Sequence, residues 1–231
     1  MKLDAYSIKA RFFPVLVTAV LPAMIFNYFY VSEEFARFVG YILGAKFLSN
    51  VSLSFICLIY LSEISRMIAK GIFESHFFNN ELSMPTTTFM LFKDKTYSDD
   101  LKIMFRNTVK SDFGLDLASN EQEEVDEQNA KRKIVESMAL IRKKLHKNTF
   151  LQQHNIEYGA MRNAIGGSVI GFFICLWNIY FFHAVVHNEL AINISLFLVC
   201  IYTLLLVFSK FILNFYGVSY AKVLFREYLG K

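Results

Sequence analysis

The chain has 231 residues, 55% of them hydrophobic and 16% aromatic, with a formal net charge of +4 and three cysteines. No cysteine spacing suggests a disulfide framework or a metal knuckle. The small basic excess is no sign of a nucleic-acid surface, and no direct nucleic-acid partner is expected.

Four apolar stretches dominate: Phe12–Val31, Phe38–Leu61, Ala164–Val186 and Leu190–Ser209. Each reaches the roughly 20 residues a helix needs to cross a hydrocarbon core, and none contains Asp or Glu. Their pattern predicts an all-α membrane protein of four transmembrane helices arranged as two hairpins. Pro14 and Pro22 predict a kink in the first, with neighbouring helices meeting the freed carbonyls. That stretch is too long for a cleavable signal peptide. Cys57, Cys175 and Cys200 all fall within predicted spans, where a thiol behaves as a small apolar group.

Lys46, in the second stretch, is the most costly residue at membrane depth, on the order of 2.5 to 3.5 kcal/mol on insertion scales. Asn50 and Ser54 follow at steps of four and share its face. They form either a cavity or pore lining, or a snorkelling lysine above two interhelical hydrogen-bonding groups. Asn27, Asn178, His183 and Asn193 are expected to bond between helices or at the interface. Gly40 and Gly44 make one small-xxx-small pair. Gly159, Gly167 and Gly171 belong to a second ridge that begins at Asn155 and includes Asn163. Such ridges serve helix packing, either inside one chain or between copies.

After Leu61 the second helix is expected to continue, with Ile64, Met67, Ile68 and Ile72 turned against neighbours and Gly71 a candidate bend. The fourth is expected to run on through Phe211 to Leu229; both extensions form cytoplasmic stalks or, bending at Gly71 and Gly217, lie in the interface as amphipathic helices. Asn79, Asn80, Ser83 and Pro85 open an α-rich insert. Within it, Thr86–Phe92 reads as a short strand that Asn148–Ile156 could pair. Ser98 caps a helix ended by Gly114. A second helix starts near Ser119 with a capping box, runs from acidic to basic, and carries the stripe Ile134, Met138, Ile141, Leu145.

Fifteen Lys and Arg lie between Ser62 and Asn163, while the two short connections hold only Arg37. The positive-inside rule therefore places both termini and the insert in the cytoplasm. Three segments result: a first hairpin with its helical extension (1–80), the insert (81–163), and a second hairpin with its tail (164–231). No phosphate loop, nucleophile elbow or metal-spaced histidine pair is present, so neither an enzyme nor a cofactor or metal site is expected.

Two stretches carry a resemblance. Met84-Pro85-Thr86-Thr87-Thr88, and Asn155-Ile156-Glu157-Tyr158-Gly159 followed by Arg162-Asn163 and Gly166-Gly167, are similar to small bacterial multipass membrane proteins of antiphage defence loci. The likeness covers about residues 81–171, and Ala160 departs from it where an aromatic is expected. It implies an insert/membrane junction at Asn155, Glu157, Tyr158, Arg162 and Asn163. It implies a defence-locus context and no particular chemistry; taken with the polar stripe and the lack of catalytic motifs, it leads to the expectation of a membrane effector, or a membrane component of a defence system, in the bacterial inner membrane. The insert would receive a signal or a soluble cytosolic partner, and a homo-oligomeric bundle would respond, a pore being one form of response. The alternatives are a passive anchor that recruits a soluble partner, and a transporter.

Overall fold

The computed structural model describes residues 6–30 and 46–230, with backbone alone for 46–55. Every regular element among them is helical. In chain order these are α1 (Ser7–Tyr30), α2 (Lys46–Ile68, continued by Ala69–Glu74 and Ser75–Phe78), α3 (Pro85–Thr88), α4 (Asp99–Phe113), α5 (Asn120–Val125), α6 (Glu127–Lys144), α7 (Thr149–Val186), α8 (Glu189–Val207) and α9 (Ser209–Leu229). Three of them, α1, α7 and α8, are long and apolar enough to cross a membrane, as in a multipass membrane protein. Of the expected second span, Gly40 and Gly44 and the side chains of Lys46, Asn50 and Ser54 lie outside the described residues.

The chain divides into two compact units, one of Met1–Phe73 with Gly159–Ser209, the other of Glu74–Tyr158 with Lys210–Lys231. In the first unit, α1 is wound as a π-helix over Ser7–Phe12 and Leu16–Val20, around a short α-helical piece that contains Pro14. Its contacts with α7 rise together along both helices, from Ala10 beside Gly159 and Asn163, through Pro22 bonded to Asn178, to Phe26 against Phe181. These two helices therefore run in the same direction. Cys175 packs with Leu198 and Tyr202 of α8, and Tyr202 also meets Gly171, so α8 runs the opposite way.

The extension of α2 differs from its expected packing. Ser62, Ser65 and Ala69 are buried, while Ile64, Met67 and Ile72 are exposed. Small side chains take the inner face because α7 presents Gly166 and Gly167 there, and only a small partner fits against two bare backbones. Gly71 lies in a π-helical stretch that carries the helix on to Phe78. The turn after it uses left-handed backbone at Asn79, Asn80 and Glu81, with φ of 45°, 53° and 74°.

The second unit closes around Met90, Leu91, Phe105, Val109, Ile134, Met138, Ile141 and Leu145, joined by Leu224, Phe225 and Tyr228 of α9. The stripe read from α6 is wholly inside. Ser98 accepts from the Leu101 amide, and Gly114 ends α4 in the left-handed region. The Ser119 capping box forms as expected. The helix it starts is interrupted at Asp126, whose side chain accepts from the Asn129 amide and caps a new helix, α6.

The expected strand pairing is absent from the described residues. Pro85 starts a single helical turn, and Thr87 and Thr88 donate their hydroxyls to the carbonyls of Glu81 and Met84. Such local bonds give β-branched threonines an alternative to a ladder. Asn148 caps α7 by accepting from the Leu151 amide, so Thr149–Ile156 is helix. On α9, Gly217 lies inside a continuous helix.

Candidate functional site

The first unit holds a polar seam along α1. Proline at position 14 has no amide to offer the carbonyl of residue 10, its α-helical partner. That carbonyl, Ala10 O, lies near the end of a π-helical stretch and accepts from Asn163 Nδ2 of α7 at 2.6 Å. In the π register, Pro22 likewise withholds an amide from Val17 O, which accepts from the Tyr202 hydroxyl of α8 at 3.0 Å. Asn178 Nδ2 donates to Pro22 O at 2.9 Å, and the Thr18 hydroxyl donates back to Pro14 O at 2.8 Å. Asn163, Asn178 and Tyr202 are all but fully buried.

Glycines bring the donors within reach. A Cβ at Gly166 would overlap the Ser65 carbonyl oxygen, one at Gly167 the Thr18 hydroxyl, and one at Gly171 the Thr18 carbonyl oxygen. At Gly159 it would stand 3.1 Å from the Tyr6 hydroxyl and 3.3 Å from Ala10 Cβ. The ridge of α7 is thus occupied by this chain's own α1 and α2. At the Arg11 end of the seam, Glu63 accepts from Arg11 at 3.1 Å and from Arg66 Nε at 2.9 Å. At the other end, Phe26, Tyr30, Trp177, Phe181 and Phe182 form an aromatic cluster, the composition of a membrane–water interface.

Asn163→Leu should cost more than Asn178→Leu, because Pro14 has already removed the α-helical donor to Ala10 O. Interhelical bonds of this kind span about 0.6 to 1.7 kcal/mol, and the two substitutions should fall toward the upper and lower ends. Unfolding in mixed micelles of increasing SDS fraction measures the order.

Of the junction residues, Asn155 is exposed and Tyr158, Arg162 and Asn163 are buried. Glu157 takes its described partners from its own helix, His154 at 3.3 Å and Gln153 at 3.0 Å. Of the other intramembrane polar residues, Asn178 bonds between helices, whereas Asn27, His183 and Asn193 are exposed. In the second unit, Gly217 of α9 lies 3.5 Å from Pro85 Cγ and 3.8 Å from Tyr158 Cε2, measured from its Cβ position. The proline-threonine segment and the asparagine-x-glutamate-tyrosine segment, far apart in sequence, meet at one glycine. Gly166 entered the sequence reading only as part of the resembling segment, and Thr18, Ser65 and Tyr202 escaped it. The recurrence of small residues at Ser62, Ser65 and Ala69 was the signal available for the α2 face.

A second polar centre lies in the other unit. Arg106 and Glu123 are paired, the carboxylate buried and the guanidinium nearly so, 4.0 Å from the Phe92 ring centroid. Glu123 also accepts from the Phe92 amide at 2.8 Å. Burial pushes the Glu123 carboxyl above its ordinary range, and the Phe92 amide and Arg106 pull against that rise. Burial lowers Arg106 in turn. Lys102, fully buried, donates to the carbonyls of Phe92 and Asp94. Together these groups fold the 89–97 loop onto α4 and α5.

Among the described residues every regular element is helical, and three helices are of membrane-crossing length. No family model, curated protein or solved structure matches it.

Proposed function

We propose that this chain is a membrane effector, or the membrane component, of a bacterial antiphage defence system. In this reading it has four spans in two hairpins across the inner membrane, with both ends and the second unit in the cytoplasm. Two observations support the topology. Helices α1 and α7 run in the same direction, so the chain between them must return across the bilayer, and the apolar stretch leading into α2 is long enough to do so. The aromatic cluster stands at the end of α1 and α7 opposite Arg11, Glu63 and Arg66, as an outer interface would.

The observation that carries the functional reading is the meeting of Pro85 and Tyr158 on Gly217. Pro85 comes from one of the segments that resemble defence-locus proteins and Tyr158 from the other, and both belong to the unit that would receive a signal. A bundle whose first helix is bonded at its carbonyls by side chains from α7 and α8 has discrete bonds to exchange when it rearranges. Lys46, Asn50 and Ser54 remain the candidates for a cavity lining in that rearrangement, and several copies would be needed to enclose a path.

Membrane potential after induced expression, with phage challenge as the trigger, tests the proposal. Depolarisation that depends on the trigger is expected. An unchanged potential together with co-purification of a soluble protein would replace the effector with a passive anchor. A cytoplasm-only reporter fused at Asn188 should be inactive, and activity there would overturn the topology.

A further inference from the structure

Helix α9 has two faces of unlike character. Its inner face is a finished core: Leu213, Ala221 and Leu224 are fully buried, and Phe225 is 2% exposed. Its outer face carries Phe211 at 70% and Phe215 at 61% exposure, then the exposed Lys222 and Arg226. At 3.6 residues per turn these four positions fall within about 60° of arc, so they form a single stripe. The stripe changes from aromatic to basic between Phe215 and Lys222, a rise of about 10 Å. A bilayer passes from acyl chains to headgroups over about 5 to 8 Å on each side, a similar distance.

We propose that this stripe is a bilayer-interface contact, with Phe211 and Phe215 at the acyl–headgroup boundary and Lys222 and Arg226 against the phosphates of anionic lipids. Chain continuity supports it, since α9 follows the membrane-length helix α8 after the single residue Phe208. Composition does too: aromatic rings beside cationic side chains suit the interfacial layer, and juxtamembrane cations are drawn to anionic lipid. The inference rests on the membrane-spanning reading of α8. Its consequence is that one helix contributes at once to the core of the second unit and to the lipid surface. Lipid charge would thereby bear on the unit that holds Pro85, Tyr158 and Gly217.

Tryptophan placement tests it. The chain has one tryptophan, Trp177. In a Trp177→Phe background, Phe215→Trp reports on α9, and Phe197→Trp, at an exposed position of α8, reports on insertion itself. The full-length proteins go into phosphatidylcholine vesicles that contain lipid brominated on its acyl chains. Both introduced tryptophans are expected to be quenched, to within about twofold of each other. Adding phosphatidylglycerol should increase quenching in the Phe215→Trp protein, and the Lys222→Glu/Arg226→Glu pair should abolish that increase. Quenching at 197 with none at 215 would overturn the inference while the spanning reading stands. Acrylamide then separates a water-exposed stripe from one covered by a second copy. No quenching at either position would overturn the spanning reading and the inference together. Indifference of the Phe215→Trp signal to the charge reversal would remove the anionic lipid from the proposal.

Discussion

Gly166→Ala is expected to destabilise the first unit by about 3 kcal/mol, the upper end of the range for overpacking. The added methyl meets the Ser65 carbonyl oxygen, a backbone atom that cannot swing aside as a side chain would, and Ala69 Cβ stands only 3.0 Å away. Relief requires α2 to back away from α7, which would also open the contact of Ser65 with Gly167. Gly71→Ala is the matched control, because nothing lies within 4 Å of its Cβ position. SDS-titrated unfolding of the two variants should separate them clearly. A Gly166→Ala protein as stable as Gly71→Ala would mean that α2 and α7 do not pack at Gly166.

Glu123→Ala is expected to cost the second unit about 3 to 5 kcal/mol, the range for a buried ion pair stripped of one partner. It leaves the nearly buried Arg106 guanidinium without its carboxylate and the Phe92 amide without its acceptor. The double substitution Arg106→Met/Glu123→Leu should recover most of the loss, since no buried charge is then left alone. Hydrogen exchange over residues 89–125 reads both outcomes. The carboxyl is raised in the folded state, so its contribution is fully present below the unfolded value and is lost as pH rises through the folded one. Glu123→Gln should therefore flatten that part of the acid-range stability profile.

Much of this was legible in the sequence where a local rule and the tertiary fold agreed. Ile134, Met138, Ile141 and Leu145 recur at helical spacing, and all are buried. Gly114 and Ser119 end and start helices as their chemistry demands. Proline in an apolar stretch implied recapped carbonyls, and Asn163 recaps one. The reading failed where local preference lost to a neighbour or to a side chain's own bonds. Thr86–Phe92 has strand composition, yet Thr87 and Thr88 bond to nearby carbonyls and Pro85 starts a turn. Asp126 interrupts an otherwise continuous helical pattern by capping α6. Hydrophobicity pointed Ile64 and Met67 inward, but the glycines of α7 selected Ser65 and Ala69. That choice depends on a partner roughly a hundred positions away, which no window of α2 contains. Tyr202 was invisible for the same reason, since its acceptor is Val17.

The second unit is assembled from two separated parts of the sequence, Glu74–Tyr158 and Lys210–Lys231. During synthesis, Phe105, Ile134 and Met138 leave the ribosome before α7 and α8, whereas Phe225 and Tyr228, which complete their core, leave after them. At about 5 to 20 residues per second the interval is some seconds, long compared with helix formation and hydrophobic collapse. The unit therefore cannot close until the apolar helices between its halves have been made. A nascent chain whose apolar helices are unfinished has no completed second unit, and the order of translation itself keeps that core open until α9 has been made.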